Sequence, residues 1–298
     1  MASYPPPSGF PTHPPEILPP AGEDAAAQQE ELRAVRERLP GQQTRSGPRS
    51  WAYAPATYIL VGINCLVFLA MVLTHVSFLK PTSQQLFDWG ATEPNAVLIY
   101  GQWWRIVTAM FVHVGIIHLA TNMWCLWNLG LLGEPLIGPV GVFAAYILSG
   151  AAGNLLSIGI MTLYGEPSVG AGASGAVFGI AGVLIVLLKS PRLPIPPKEL
   201  KGLRRLVIYF AVINFVIGFG GNRISDQFTL GVNIDNMAHL GGFLGGIIFA
   251  LPLVPMLGSP KPLFLFRRRL SVWLLSGLLV FFGFYLSSVF PGASGLVR

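Results

Sequence analysis

Seven apolar stretches constrain this chain more than any other feature of its sequence, because each is about as long as a bilayer is thick. A helix needs about 20 predominantly apolar residues to cross the hydrocarbon core. Charged residues make up only 11% of the chain, whereas roughly 25% is usual in soluble domains. The sequence therefore predicts an all-α integral membrane protein. Its spans are expected at about residues 56–78, 114–133, 138–163, 170–189, 204–221, 236–257 and 271–290.

The basic residues predict the direction in which the spans run. If seven spans alternate, 15 of the 19 Lys and Arg side chains fall on one side of the membrane. Cytoplasmic loops carry such an excess, so we expect a cytoplasmic N-terminus and an outer C-terminus. A multi-pass protein of the bacterial inner membrane fits this layout. The net charge of +6 is then an orientation signal, and nucleic acid is not an expected partner.

Composition divides the chain into three regions. Residues 1–50 contain several proline runs, which predict a mostly disordered cytoplasmic tail with one short helix near 24–39. Residues 51–257 hold six of the spans, and residues 258–298 hold a cytoplasmic basic loop, the seventh span and a short outer C-terminus. Cys65 and Cys125 both lie in apolar runs, so we expect packing residues and not a disulfide or a metal pair.

A glycine-dense stretch opens the fourth span. Residues 170–182 contain five glycines and the hydroxyl of Ser174. Lipid-facing helices do not need so many small residues, whereas close helix–helix contacts do. Considered alone, Ser174 is simply one more small residue in a tight helix crossing.

Polar residues on three separate spans are expected at one depth. The second, fourth and sixth spans all enter from the outside, which puts His118 and Asn122, Ser174, and His239 within about two turns of the outer surface. Ionisable groups in a membrane are costly and indicate function by default. Each residue also has a structural interpretation: a core histidine bonded to a carbonyl for His239, and hydrogen bonds between helices for His118 with Asn122.

The fourth and sixth spans each carry small residues at every fourth position, on one helix face. These are Gly175 and Gly179 on the fourth span, and Ala238, Gly242 and Gly246 on the sixth. If the two faces pack together, Ser174 and His239 come within hydrogen-bonding reach. A serine beside a neutral imidazole is the minimum for a nucleophile and its general base. We do not expect a zinc site, because His113 and His118 should lie on different helix faces without an acidic or thiol ligand.

The ordered set of motifs resembles that of the rhomboid intramembrane serine proteases. The motifs are Trp104-Arg105, His113…His118…Asn122, Gly172-Ala173-Ser174-Gly175 and Ala238-His239-Leu240-Gly241-Gly242. The resemblance covers about residues 56–257. It implies a rhomboid-like six-helix transmembrane core plus one C-terminal transmembrane helix, a 6+1 architecture.

The resemblance implies a role for each matching residue. Ser174 would attack the scissile carbonyl, and His239 would act as its general base. His118, Asn122 and the Ser174 N–H would hold the oxyanion, a role worth a few kcal/mol per donor. Gly172 would permit the tight backbone ahead of the nucleophile.

The resemblance also implies supporting residues. Phe178 stands where rhomboids often have a tyrosine stacked on the catalytic imidazole, so it can stack but cannot donate. His113 would help to organise the water-accessible cavity, and Trp104 and Arg105 would be structural. Asp235 is expected to cap the sixth span, although a third catalytic member remains the alternative.

The function implied is that of an intramembrane serine endopeptidase, which cleaves transmembrane segments near the outer leaflet and needs no cofactor or metal. Its partners would be transmembrane protein substrates and the lipid bilayer. Two alternatives remain. One is a catalytically inactive rhomboid-like protein that binds membrane clients, and the other is a multi-span transporter.

Overall fold

The computed structural model describes residues 54–165, 168–190, 193, 196–228, 235–254 and 260–290. Within these ranges the chain is helical, apart from connections and one isolated antiparallel bridge between Thr92 and Gly170. The predicted tail at 1–50 and its short helix lie outside the described residues.

Nine helices lie within the described ranges, and the fifth is the longest, with 49 residues. In chain order they are α1 (Pro55–Leu73), α2 (Ser83–Asp88), α3 (Pro94–Leu98), α4 (Arg105–Thr108), α5 (Ile116–Tyr164), α6 (Ser174–Leu187), α7 (Pro197–Phe228), α8 (Asn236–Ala250) and α9 (Lys261–Val289). By length and composition α1, α5 and α9 can each cross a membrane, and α6 and α8 are shorter apolar helices. The predicted all-α membrane architecture is confirmed.

Helix α5 contains both the second and the third predicted span. The chain turns at Gly138, where φ is 73° and ψ is 167°, so residues 116–137 and 139–164 form two arms. The second predicted span, 114–133, therefore ends too early, because the helix continues through Gly133, Glu134 and Pro135 as far as the turn at Gly138. A positive φ is readily adopted only by glycine, and the residue before a proline avoids the helical region. Gly138, which precedes Pro139, meets both conditions.

Several other boundaries differ from those expected from hydropathy. Helix α1 ends at Leu73 and not near 78, while α7 begins at Pro197 and α9 at Lys261, seven and ten residues earlier than predicted. The basic residues before each apolar run are good helix formers, so these two helices extend beyond the apolar segments. The connection at 80–113 also contains three short helices, α2, α3 and α4.

Helix α6 is enclosed by other helices. Every residue from Gly175 to Leu184 is buried, and α5, α7 and α8 all contact this helix. A helix that is apolar on all sides is expected in such an interior position. Ser174 therefore begins a helix that is surrounded by protein.

Glu134 is a buried carboxylate, 2% exposed, that the sequence analysis did not single out. One oxygen accepts the Ala56 N–H at 2.9 Å, and the other accepts the N–H and the hydroxyl of Thr57 at 2.9 and 2.7 Å. These donors belong to the first turn of α1, where backbone N–H groups have no intrahelical acceptor. Glu134 therefore ties the far end of the first α5 arm to the start of α1.

Candidate active site

The loop before Ser174 is fixed by the long connection between α1 and α5. Thr92 and Gly170 exchange two backbone hydrogen bonds of 2.8 and 2.9 Å, and the Gly172 N–H donates to the Ala109 carbonyl at 2.9 Å. Gly172 has a φ of +133°, a conformation that side-chain-bearing residues rarely adopt. The connection therefore holds the backbone of residues 170–172, two residues before Ser174.

Ser174 is the first residue of α6 and is half-buried. The first backbone N–H groups of a helix have no intrahelical acceptor, and the helix dipole favours negative charge beside them. The hydroxyl therefore lies next to free backbone donors. This is a favourable position for a negatively charged group.

Helices α6 and α8 touch through their glycines, as the spacing predicted. A Cβ placed on Gly242 would lie 2.0 Å from the Gly175 carbonyl oxygen, and one on Gly246 would lie 1.9 Å from the Gly179 carbonyl oxygen. No side chain fits between backbones at such distances. At the end of the interface nearest the candidate site, a Cβ on Gly175 would lie 3.2 Å from the Ala238 carbonyl oxygen.

The His239 imidazole stacks on the Phe178 ring. The two ring centroids are 4.3 Å apart and the planes differ by 13°, so the rings are close to parallel. His239 is 6% exposed, and its Nδ1 is buried without a hydrogen-bond partner among the described residues. Phe178 in turn contacts Phe210 and Phe215 of α7, with centroids 5.9 and 6.2 Å away. Phe178 therefore packs against one face of the imidazole, but it has no hydroxyl group with which to form a hydrogen bond.

Asp235 caps α8, as expected. Its Oδ1 accepts the Ala238 N–H at 2.9 Å, and its Oδ2 accepts a short hydrogen bond from the Ser157 hydroxyl. Neither hydrogen bond involves His239, so the geometry favours the capping role over the third member of a triad. Ser157 lies on the second arm of α5, and its bond to Asp235 fixes the start of the helix that carries His239.

His118 occupies the space that Gly172 leaves open. A Cβ on Gly172 would lie 2.6 Å from Cε1 and 3.0 Å from Nε2 of His118. The Val114 N–H donates to Nδ1 of His118 at 3.3 Å. A neutral imidazole that accepts at Nδ1 carries its proton on Nε2. The Nε2–H donor therefore lies against the loop that leads to Ser174.

Asn122 lies one turn after His118 and is 6% exposed. Its side-chain amide donates to the His118 carbonyl at 2.9 Å. Because that amide carries two N–H groups, one remains for another acceptor. The i, i+4 relation predicted from the sequence is thus realised as a direct contact within α5.

His113 is completely buried and lies beside His118, with ring centroids 5.4 Å apart. The prediction that these two histidines point to different sides is wrong, because His113 precedes the helix. Its Nδ1 lies 3.2 Å from the Phe111 carbonyl, and its Nε2 is buried without a partner within the described part of the chain. Among the residues that the structure describes, no three His, Cys, Asp or Glu side chains form a group that could bind a metal.

Arg105 is a structural residue of the connection, as expected. Its guanidinium donates to the carbonyls of Phe87 and Ala91 at 2.6 and 3.0 Å and to the Gln102 side chain at 2.5 Å. It also stacks on the rings of Phe87 and Trp104, at 3.8 and 4.5 Å from their centroids. These contacts hold together the connection that supports the loop at 170–172.

Sequence reasoning missed Thr92 and Ser157. Both act through partners 78 residues away, Gly170 and Asp235, and neither belongs to a short motif. The structure therefore gathers His118, Asn122, Gly172, Ser174, Phe178 and His239 around the N-terminal ends of α5, α6 and α8.

Comparison with known proteins gives an independent assignment. The family described as "Rhomboid domain" matches residues 100–256, more than half of the chain. "Rhomboid protease GluP" of Bacillus subtilis (strain 168) is 32% identical over 229 residues, which cover 77% of this chain and 40% of that protein. The Arabidopsis thaliana proteins "RHOMBOID-like protein 7" and "RHOMBOID-like protein 2" are 32% and 34% identical, over 59% and 58% of this chain.

The match reaches only part of these relatives, since it spans 40% of the first and about half of the other two. The matched family region nevertheless contains every residue gathered at the candidate site. It begins before His118 and ends after His239. This chain therefore belongs to the rhomboid family.

Proposed function

We propose that this protein is an intramembrane serine endopeptidase that cleaves transmembrane segments of other membrane proteins with a Ser174–His239 dyad. The observation that carries the proposal is the backbone contact between Gly175 and Ala238. Ser174 and His239 each adjoin one side of that contact. The stacking of Phe178 on His239 adds support, because Phe178 lies one helical turn after Ser174.

In the first half of the reaction, the Ser174 hydroxyl attacks the scissile carbonyl carbon while His239 takes its proton. His239 then returns the proton to the leaving amine as the peptide bond breaks. In the second half, His239 takes a proton from water while the water oxygen attacks the acyl carbon. His239 then returns that proton to the Ser174 oxygen as the ester bond breaks, which restores the free enzyme. Phe178 keeps the imidazole plane fixed through these transfers.

Three donors would hold the oxyanion of each tetrahedral intermediate. They are Nε2–H of His118, the second amide N–H of Asn122 and the backbone N–H of Ser174. His118 fits this role because its Nδ1 already accepts the Val114 N–H. Removing one such donor typically lowers kcat by roughly 10²–10³-fold.

We further propose that the Ser174 end of the bundle faces the outside, and that the basic end faces the cytoplasm. A site one turn from the outer surface can take up water, which the bilayer core lacks. A substrate helix protects its peptide bonds by internal hydrogen bonding. Segments weakened by glycine or proline near the outer leaflet are therefore the expected substrates.

A fluorophosphonate probe tests the dyad directly. The wild-type protein in detergent should be labelled covalently, whereas Ser174→Ala and His239→Ala should not be. Labelling that persists in His239→Ala would contradict the dyad. A folded but unlabelled wild-type protein would instead favour an inactive, client-binding relative or a transporter.

Cleavage of a transmembrane substrate provides the second arm of this test. The wild-type protein could be labelled by the probe and yet fail to cleave a reporter with a glycine-containing transmembrane segment. That result would support an activated serine but contradict the proposed substrate class. Thermal unfolding of each variant serves as the folding control.

A further inference from the structure

Arg267 lies in an unusual setting near the start of α9. Its Nε is buried and has no hydrogen-bond partner within the described part of the chain. Leaving a buried donor unpaired is costly, and more so for a charged group. The next residue, Arg268, has a clear structural role instead, since it donates to the Ile137 carbonyl at 3.2 Å where α5 turns. No such hydrogen bond is found for Arg267 within the residues that the structure describes.

The end of the bundle that carries Arg267 is rich in positive charge. It lies opposite Ser174, because α6 runs away from Ser174 and α9 begins where the first arm of α5 ends. Nine basic residues of the described chain lie there: Lys189, Lys198, Lys201, Arg204, Arg205, Lys261, Arg267, Arg268 and Arg269. Of the described carboxylates at this end, Glu134 is fully engaged by α1, which leaves Glu199. Within the described part of the chain, the basic side chains at this end therefore far outnumber the carboxylates.

An apolar stripe begins beside Arg267 and runs along α9 into the membrane. The leucine stripe consists of Leu263, Leu270, Leu274 and Leu278, each 40–44% exposed. These positions share one helix face with Arg267, because they are separated from it by three, four, seven or eleven residues. From Arg267 to Leu278 the helix rises about 16 Å at 1.5 Å per residue. That is about half the thickness of the hydrocarbon core, the depth of one leaflet.

We propose that Arg267 and the leucine stripe form a binding site for an anionic phospholipid. The guanidinium holds the phosphate, and an acyl chain lies along Leu270, Leu274 and Leu278. An arginine fork matches phosphate oxygens in a two-point contact that a lysine cannot reproduce. The cytoplasmic leaflet, which the basic end is proposed to face, is where anionic lipids concentrate. A free phosphate ion would satisfy the charge but leave the stripe without a partner.

This proposal does not depend on whether Ser174 is a nucleophile. The lipid would brace α9 against the turn of α5, because Arg268 already links these two elements at Ile137. It would therefore act on the attachment of α9 to the core, at the end of the bundle away from the candidate site.

Native mass spectrometry of the full-length protein tests the site. Protein released from mixed micelles should retain phosphatidylglycerol and lose phosphatidylcholine with the same acyl chains. Arg267→Gln should reduce retained phosphatidylglycerol by about thirtyfold, since it removes both a charge and a two-point contact. Arg269→Gln is the matched control: it removes the same charge at the same depth but lies on the other side of α9, and it should lose no more than about fivefold.

The remaining outcomes separate the alternatives. Equal losses in Arg267→Gln and Arg269→Gln would overturn the site in favour of general charge attraction. Displacement of the lipid by millimolar inorganic phosphate would overturn it in favour of an anion site. If Arg267→Gln does not fold, Leu274→Ser must still lower lipid retention, because it interrupts the stripe and keeps every charge. A dimer that excludes phosphatidylglycerol would show that a second copy covers this face.

Discussion

The α6–α8 interface and the outer face of α9 both contain glycine, yet the two regions differ in what surrounds it. Gly242 and Gly246 meet the backbone of α6 so closely that a Cβ would lie about 2 Å from a carbonyl oxygen. A Cβ placed on Gly277 of α9, by contrast, would have no neighbouring atom within 4 Å. Trp273 and Phe284, on the same helix, are each 75% exposed.

The contrast shows that glycine content alone does not mark a site. Without a hydrophobic driving force in lipid, helices associate through close packing of small residues. Large exposed side chains on α9 suit contact with lipid, whereas glycines on α6 and α8 bring two backbones together. What distinguishes the candidate site is a pair of matched glycine faces that end in polar side chains, here Ser174 and His239.

Gly242→Ala should have the largest effect, because it places a methyl group inside the close contact between α6 and α8. The added methyl would lie 2.0 Å from the Gly175 oxygen, and the atoms it meets are backbone. We expect a loss of at least about 2 kcal/mol in the free energy of unfolding. A displacement of about 1 Å at the site would also lower the rate of fluorophosphonate labelling by roughly 10²-fold.

Gly277→Ala is the control for that variant. Since its Cβ position is open, labelling should stay at the wild-type rate, and thermal stability should not fall, because alanine favours a helix more than glycine does. If Gly277→Ala proved as harmful as Gly242→Ala, the difference between the two regions would vanish. The same would follow if Gly242→Ala were neutral.

Much of the candidate site could be predicted from the sequence, because the spacing of its residues is a local feature. The every-fourth spacing of Gly175 with Gly179 and of Gly242 with Gly246 is a property of a single helix. It can therefore be recognised in the sequence before the fold is known. Hydropathy likewise located the apolar segments. It misplaced the starts of α7 and α9, because a helix does not end where its apolar residues end.

The missed features are those that depend on distant partners or on one backbone angle. Glu134 and Ser157 bind groups 77 or 78 residues away, and no spacing rule indicates such pairs. Proline disfavours the interior of a helix, and α5 contains both Pro135 and Pro139. Only Pro139 follows a glycine that can adopt the positive φ found at Gly138. The helix therefore passes one proline and turns before the other.

Asp235→Ala should have an intermediate effect. It removes the α8 cap, which is worth about 0.5–2 kcal/mol, and leaves the buried Ser157 hydroxyl without its acceptor. We expect a lower melting temperature and a loss of roughly tenfold in labelling rate, since the start of the His239 helix loosens. Asp235→Asn keeps an acceptor for the Ala238 N–H and a polar partner for Ser157, so its labelling should fall by no more than about threefold.

Neutralising a catalytic aspartate of a triad lowers the rate by about 10⁴-fold. A loss of labelling on that scale in Asp235→Asn would therefore indicate a triad instead of a helix cap.

Phe178→Leu should have the smallest effect of the three, and it isolates the support of the imidazole from the packing of the core. Losing the stacked ring removes about 0.5–1.5 kcal/mol of aromatic interaction, so His239 samples other orientations and labelling slows by about three- to tenfold.

Phe249→Leu is the matched control, because Phe249 is fully buried at the opposite end of α8. Both variants should lose comparable stability, but only Phe178→Leu should lose labelling rate. Phe178→Tyr keeps the ring and should stay within about twofold of wild type. If Phe178→Leu and Phe249→Leu slowed labelling equally, the stacking of Phe178 on His239 would be ordinary core packing. The position of His239 would then depend on the glycine contacts between α6 and α8 alone.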